Sequence, residues 1–127
     1  MKKIITALVS VLLLAGCSNS SSAINLDANG FANKVAETGV VTIDVRTPGE
    51  FMVGHIQGAI NIDVEGMQFD SEIAKLDKAK FYAVYCHSGR RSGLAVAAMN
   101  KAGFKNIFNL TNGITDWQNQ GLPLVTN

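Results

Sequence analysis

The chain has 127 residues, which favours a single domain, and its 11 Lys+Arg against 10 Asp+Glu leave a formal charge of +1. That balance offers no field for nucleic acid and no acidic tail. A hydrophobic share of 47% with only 2 Pro excludes a disordered or fibrous chain. The two cysteines, Cys17 and Cys86, lie too far apart for a disulfide-dense scaffold, and with His55 and His87 they lack zinc-finger spacing.

The first segment reads as an address. Met1-Lys2-Lys3 is a short basic start, and Ile4 to Gly16 carries no charge. This apolar run of 13 residues is shorter than the ~20 a membrane-spanning helix needs. Leu14-Ala15-Gly16-Cys17 closes it, in the manner of a secretory signal with small residues before the cut. That ending resembles the bacterial lipobox. The resemblance implies a diacylglyceryl thioether on Cys17, cleavage before it and acylation of the new amino terminus, so that several acyl chains hold the protein to a membrane. Residues 1–16 are then the lipoprotein signal peptide, 17–23 a Ser-rich tether, and 24–127 the folded domain. Loss of Lys2 and Lys3 changes the net charge from +1 to −1. The domain is expected in the cell envelope, outside the cytoplasm, on the periplasmic side or the cell surface. Ser18 after Cys17, rather than Asp, suits outer-membrane sorting in a cell with two membranes.

Downstream, apolar periods alternate between helical and extended. Leu26 to Thr38 places Phe31, Val35 and Ala36 on one helical face, and Gly39 can close it. Val40 to Val45 is a β-branched run, read as a buried strand. Pro48 to His55 is a short helical turn with Pro48 early in it. Ala59 to Ile62 is a short strand, Phe69 to Leu76 a helix, Phe81 to Tyr85 a strand. Ser92 to Ala102 is a helix of small residues suited to close packing on a sheet. Ile107 to Leu110 is a strand, and Ile114 to Gln120 a helix anchored by Trp117 and ended by Gly121. Strands alternating with helices predict an α/β fold with a parallel sheet covered on both faces. Ligand sites in such folds lie beyond the carboxyl ends of the strands.

After Tyr85 comes Cys86-His87-Ser88-Gly89-Arg90-Arg91-Ser92, then the small-residue helix. A thiol at a strand end and before a helix N-terminus meets inward backbone N–H groups that favour an anion. Arg90 and Arg91 add positive charge, and Gly89 lets the loop turn tightly. Together these favour thiolate over thiol. The bland alternative is an inert core cysteine. A metal site is the weaker alternative: Cys86 and His87 alone cannot close one.

Four motifs now stand in order. They are Ile43-Asp44-Val45-Arg46 with Glu50-Phe51; Gly54-His55-Ile56-Gln57-Gly58-Ala59-Ile60-Asn61; Val84-Tyr85-Cys86 through Ser92; and Leu110 through Trp117 with Gly121-Leu122-Pro123. This series resembles that of single-domain rhodaneses, across roughly residues 25–125. The resemblance implies a five-stranded parallel sheet flanked by helices, and sulfurtransferase chemistry through a cysteine persulfide, with no cofactor and no metal. Cysteine phosphatases of related fold place five residues between Cys and Arg and usually His before the Cys. Here four residues separate Cys86 from Arg91, and Tyr85 precedes Cys86.

The resemblance makes Cys86 the nucleophile. His87, Ser88, Gly89, Arg90, Arg91 and Ser92 become the cradle for a small anionic donor such as thiosulfate, and a thiol or cyanide becomes the acceptor. Arg91 anchors the loop or attracts the donor. His87 stands where Arg is often seen and makes the loop charge pH-sensitive. Asp44, Arg46, Glu50 and His55 are read as structural, with Arg46 and Glu50 as an ion pair. Asn112 replaces one glycine of the family's Gly-Gly pair, and its tolerance of left-handed φ preserves the fold. The competing function is a non-catalytic rhodanese-like module that binds a partner or senses oxidants through Cys86.

Overall fold

The computed structural model describes residues 23–127. The signal peptide, Cys17 and the Ser18–Ser22 tether lie outside the described residues. The elements run β1 (Ile24–Leu26), α1 (Ala28–Val35), β2 (Val40–Asp44), α2 (Pro48–Val53), β3 (Ile60–Asn61), α3 (Phe69–Ala74), β4 (Phe81–Tyr85), α4 (Arg90–Lys101), β5 (Ile107–Leu110) and α5 (Gly113–Asn119). They form one five-stranded sheet in the order β1-β5-β4-β2-β3. Every pairing is parallel.

The two faces of the sheet follow from strand alternation. On β4, Tyr82 and Val84 point to one side, and Cys86 continues that row; they join Phe69 and Ile73 of α3 and Ala95, Val96 and Met99 of α4. Ala83 and Tyr85 point to the other, against Phe31 of α1 and Ile114 and Trp117 of α5. Phe31 meets Tyr85 and Trp117 edge-on, with ring centroids 6.2 and 6.4 Å apart. The expected small residues of α4 do their work here, since Ala95 is wholly buried beneath the sheet.

One strand escapes the sequence pattern. Residues 24–26, in part assigned to the first helix, form β1, which pairs Ile24 with Phe108 and Leu26 with Leu110. Helix α1 therefore starts after Asp27, whose carboxylate accepts the Gly30 N–H at 2.8 Å as an N-cap. Asp116 of α5 accepts the Ala28 N–H at 2.9 Å, tying the two helices on this face together. The remaining strands and helices fall within a few residues of their expected positions.

Candidate active site

The site is built where β4 ends. The loop leaves the sheet at Cys86 and enters α4 at Arg90. Its tight path depends on Gly89, which has φ +105°. A Cβ there would come 2.0 Å from the Thr111 carbonyl oxygen, so no side chain fits without moving backbone. Gly89 occupies the N-cap of α4 and brings no capping side chain. Its N–H points back to Cys86 Sγ at 3.0 Å. The sulfur takes a donor that the loop and helix entrance leave unpaired.

Cys86 is a free thiol and only 1% exposed. Burial alone would push its pKa up. Hydrogen bonds from the Ser92 hydroxyl and from the backbone N–H groups of Ser92, Gly89 and Ser88 outweigh burial, and the thiol ends below its ordinary value. The Ser92 hydroxyl also lies 3.2 Å from the Gly89 carbonyl oxygen. It has one proton, and a thiolate is the stronger acceptor. The oriented donors, more than the two arginine charges, are what favour the anion.

The N-terminal side of the loop is clasped by α5. Ile114 donates its N–H to the Cys86 carbonyl at 2.9 Å, and Thr115 donates N–H and hydroxyl to the His87 carbonyl at 3.2 and 3.1 Å. Gly113 permits this approach, because a Cβ on it would lie 2.3 Å from that carbonyl oxygen. Gly113, not Asn112, takes the positive φ of +66°; Asn112 sits at −104°. The left-handed tolerance expected of Asn112 is therefore not used.

Arg91 and Glu50 form a bidentate pair at 2.7 and 2.9 Å. The pair is half-buried, Arg91 more deeply than Glu50, and links the start of α4 to α2. Arg91 beside it holds the Glu50 carboxylate down at about 2. This corrects the expected Arg46–Glu50 pair. Arg46 is buried and pairs instead with Asp44 at 2.7 Å. Arg46 folds back onto its strand-end neighbour Asp44, and the turn into α2 carries Glu50 toward α4 instead. Asp44 is wholly buried, held by Arg46 and by the Tyr85 hydroxyl. That hydroxyl also accepts the Ile56 N–H at 3.0 Å. Its pKa is raised, first by burial and then by Asp44.

His55 is buried, stacks on Phe51 at 3.7 Å and bonds the Phe51 carbonyl through Nδ1 at 2.8 Å. His87, Ser88 and Arg90 stand at the exposed mouth, and Arg90 reaches Glu65 at 3.3 Å. A cavity of about 350 Å³ opens beside His87, with Arg46 and Glu50 in its lining. Sequence reasoning missed Gly113, Thr115 and Glu65. The first two lie in the motif quoted through Trp117, where the glycine was the available signal.

The rhodanese-like domain family matches residues 27–120, and a prokaryotic membrane lipoprotein lipid attachment site matches residues 1–18. A sulfurtransferase of Allochromatium vinosum is 31% identical over 101 residues, covering 79% of this chain and 92% of its own length. The thiosulfate sulfurtransferase PspE of Escherichia coli is 37% identical over 67 residues, covering 53% of this chain and 64% of its own. The crystal structure of a rhodanese-related protein from Thermoplasma volcanium superposes with a TM-score of 0.66 at 32% identity, over 83% of this chain and 98% of that one. The chain belongs to the rhodanese-like domain family and carries a lipoprotein lipid attachment site. Family and relatives support a role in sulfur transfer. Among the described residues, no helix is long and apolar enough to cross a membrane.

Proposed function

We propose that this chain is a lipid-anchored sulfurtransferase that moves sulfane sulfur from a thiosulfate-like donor to a thiophilic acceptor through a persulfide on Cys86. The observation that carries this reading is the buried sulfur held by the Gly89 N–H at 3.0 Å, with its thiol pKa below the ordinary value despite burial. The Cys86 thiolate attacks the outer sulfur of thiosulfate, the S–S bond of the donor breaks, and sulfite leaves with the electron pair. The terminal sulfur of the new persulfide carries the negative charge. The N–H groups of Ser88, Gly89 and Ser92 face that charge from fixed positions, which is electrostatic stabilisation by preorganised donors. An acceptor then takes the terminal sulfur and restores the thiolate.

Ser88, Gly89 and Ser92 hold the anion, and His87 and Arg90 meet the donor at the mouth. Arg91 shapes the loop through Glu50, while Asp44, Arg46 and His55 support the walls. Residues 1–16 form the signal peptide, 17–23 the tether with lipid on Cys17, and 24–127 the catalytic domain outside the cytoplasm. The full chain in detergent is expected to produce thiocyanate from thiosulfate and cyanide, and to carry a +32 Da adduct on Cys86 after thiosulfate alone. Cys86→Ala is expected to lose both. Absence of turnover and adduct in the native chain overturns the enzyme in favour of a binding or redox-sensing module.

A further inference from the structure

The cavity beside His87 has a charge pattern that the donor half of the reaction does not use. Arg46 and Glu50 both line it, and each is already paired elsewhere, Arg46 with Asp44 and Glu50 with Arg91. The four charges alternate in sign and cancel. Arg46 is nearly wholly buried, and its donors can be counted. Nε bonds Asp44, and Nη2 bonds Asp44 Oδ2 at 2.7 Å and the Gly54 carbonyl at 2.6 Å. Nη1 keeps two N–H groups with no hydrogen-bond partner among the described residues. Glu50 Oε1 accepts from Arg91 and Thr47, whereas Oε2 accepts from Arg91 alone and retains a lone pair. Val53, Gly54, Ile114 and Leu124 give the rest of the wall its apolar part, and the polar side chains of His87 and Gln118 complete it. A volume of about 350 Å³ is at the small end of ligand cavities, which run ~300–1,000 Å³.

We infer that this cavity seats the sulfur acceptor, and that the acceptor is a zwitterionic amino-acid thiol of about the size of cysteine. Its carboxylate meets Arg46 Nη1, its ammonium meets Glu50 Oε2, and its methylene lies on Val53 and Leu124. A zwitterion adds no net charge to a site whose own charges cancel. A thiol that is only anionic leaves Glu50 Oε2 without its second cation, and one that is only cationic leaves Arg46 Nη1 unpaired, so each forgoes one charge-assisted hydrogen bond. This inference rests on the proposed persulfide. The acceptor thiol releases its proton to solvent, and its thiolate sulfur attacks the terminal sulfur of the Cys86 persulfide. A new S–S bond forms to the acceptor. The bond between that sulfur and Cys86 Sγ breaks, and its electron pair stays on Sγ as thiolate. No oxidant is needed.

The test discharges the full chain, loaded with thiosulfate and freed of sulfite, with L-cysteine, cysteamine or 3-mercaptopropionate. Loss of the +32 Da adduct is followed by rapid-quench mass spectrometry, with rates expressed per thiolate. L-cysteine is expected to react at least about tenfold faster than either analogue, the factor one charge-assisted hydrogen bond is worth. Val53→Trp, at the rim of the cavity and 82% exposed, accepts the ring without disturbing the core and narrows the cavity's mouth. It is expected to raise the KM for cysteine at least about tenfold more than that for cyanide. Equal rates for the three thiols, on an enzyme that loads and is discharged by cyanide, overturn the zwitterion site and leave the sulfurtransferase standing. Failure to load overturns both.

Discussion

At the scale of single residues, the site depends on where donors and glycines are placed. Ser92 contributes a hydroxyl and an N–H to Cys86, the largest effects opposing its burial. Ser92→Ala is expected to raise the thiol pKa, so that the pH profile of Cys86 alkylation by iodoacetamide moves to higher pH. Gly89→Ala forces a side chain onto positive φ and into the Thr111 carbonyl. The backbone alone costs about 1–3 kcal/mol. Displacing the Gly89 donor is expected to lower thiocyanate production by ~100-fold, with a lower Tm in calorimetry. Glu50 supplies a pH signature. Its pKa falls from 4.5 to about 2 in the folded chain, chiefly through Arg91. Its contribution to stability is thus complete above about 4.5 and is lost as pH falls through about 2. Urea titrations of the native chain and Glu50→Gln are expected to differ at pH 6 and to converge as the pH drops to about 2.

At the scale of elements, legibility followed length and periodicity. Strand β4 and helix α4 were plain because Phe81 to Tyr85 is a continuous β-forming run and the alanines repeat with helical spacing. Strand β1 was hidden because three residues carry too little pattern, and Ile24 on the sheet edge is more than half exposed. The cradle around Cys86 was legible because glycine, arginine and serine follow a thiol at short spacing. The Arg91–Glu50 pair was not, since it spans 41 residues and only the turn into α2 creates it. That turn is set by Thr47, whose hydroxyl accepts the Glu50 N–H at 3.3 Å with Pro48 at the first helical position. Thr47→Ala is expected to cost about 1 kcal/mol in chemical denaturation. It also loosens Glu50, which shows as a raised KM for thiosulfate.

At the scale of the whole molecule, the sequence separates an address from a machine. The lipid attachment site at residues 1–18 and the domain matched at 27–120 do not overlap. Cys17→Ser is therefore expected to move the protein from the membrane fraction to the soluble fraction while thiocyanate production per molecule is retained. The strand order adds a constraint in time. The first strand has a single neighbour, and that neighbour is the last: Ile24 pairs with Phe108, 84 positions later. A growing chain cannot seat its own beginning until nearly all of it has been made, and so distant a closure carries a high entropic barrier. Strand β1 thus stays without its partner until β5 has been made. The sheet is complete only once Ile107–Leu110 has emerged to receive Ile24–Leu26, so its edge is the last part of the fold to close.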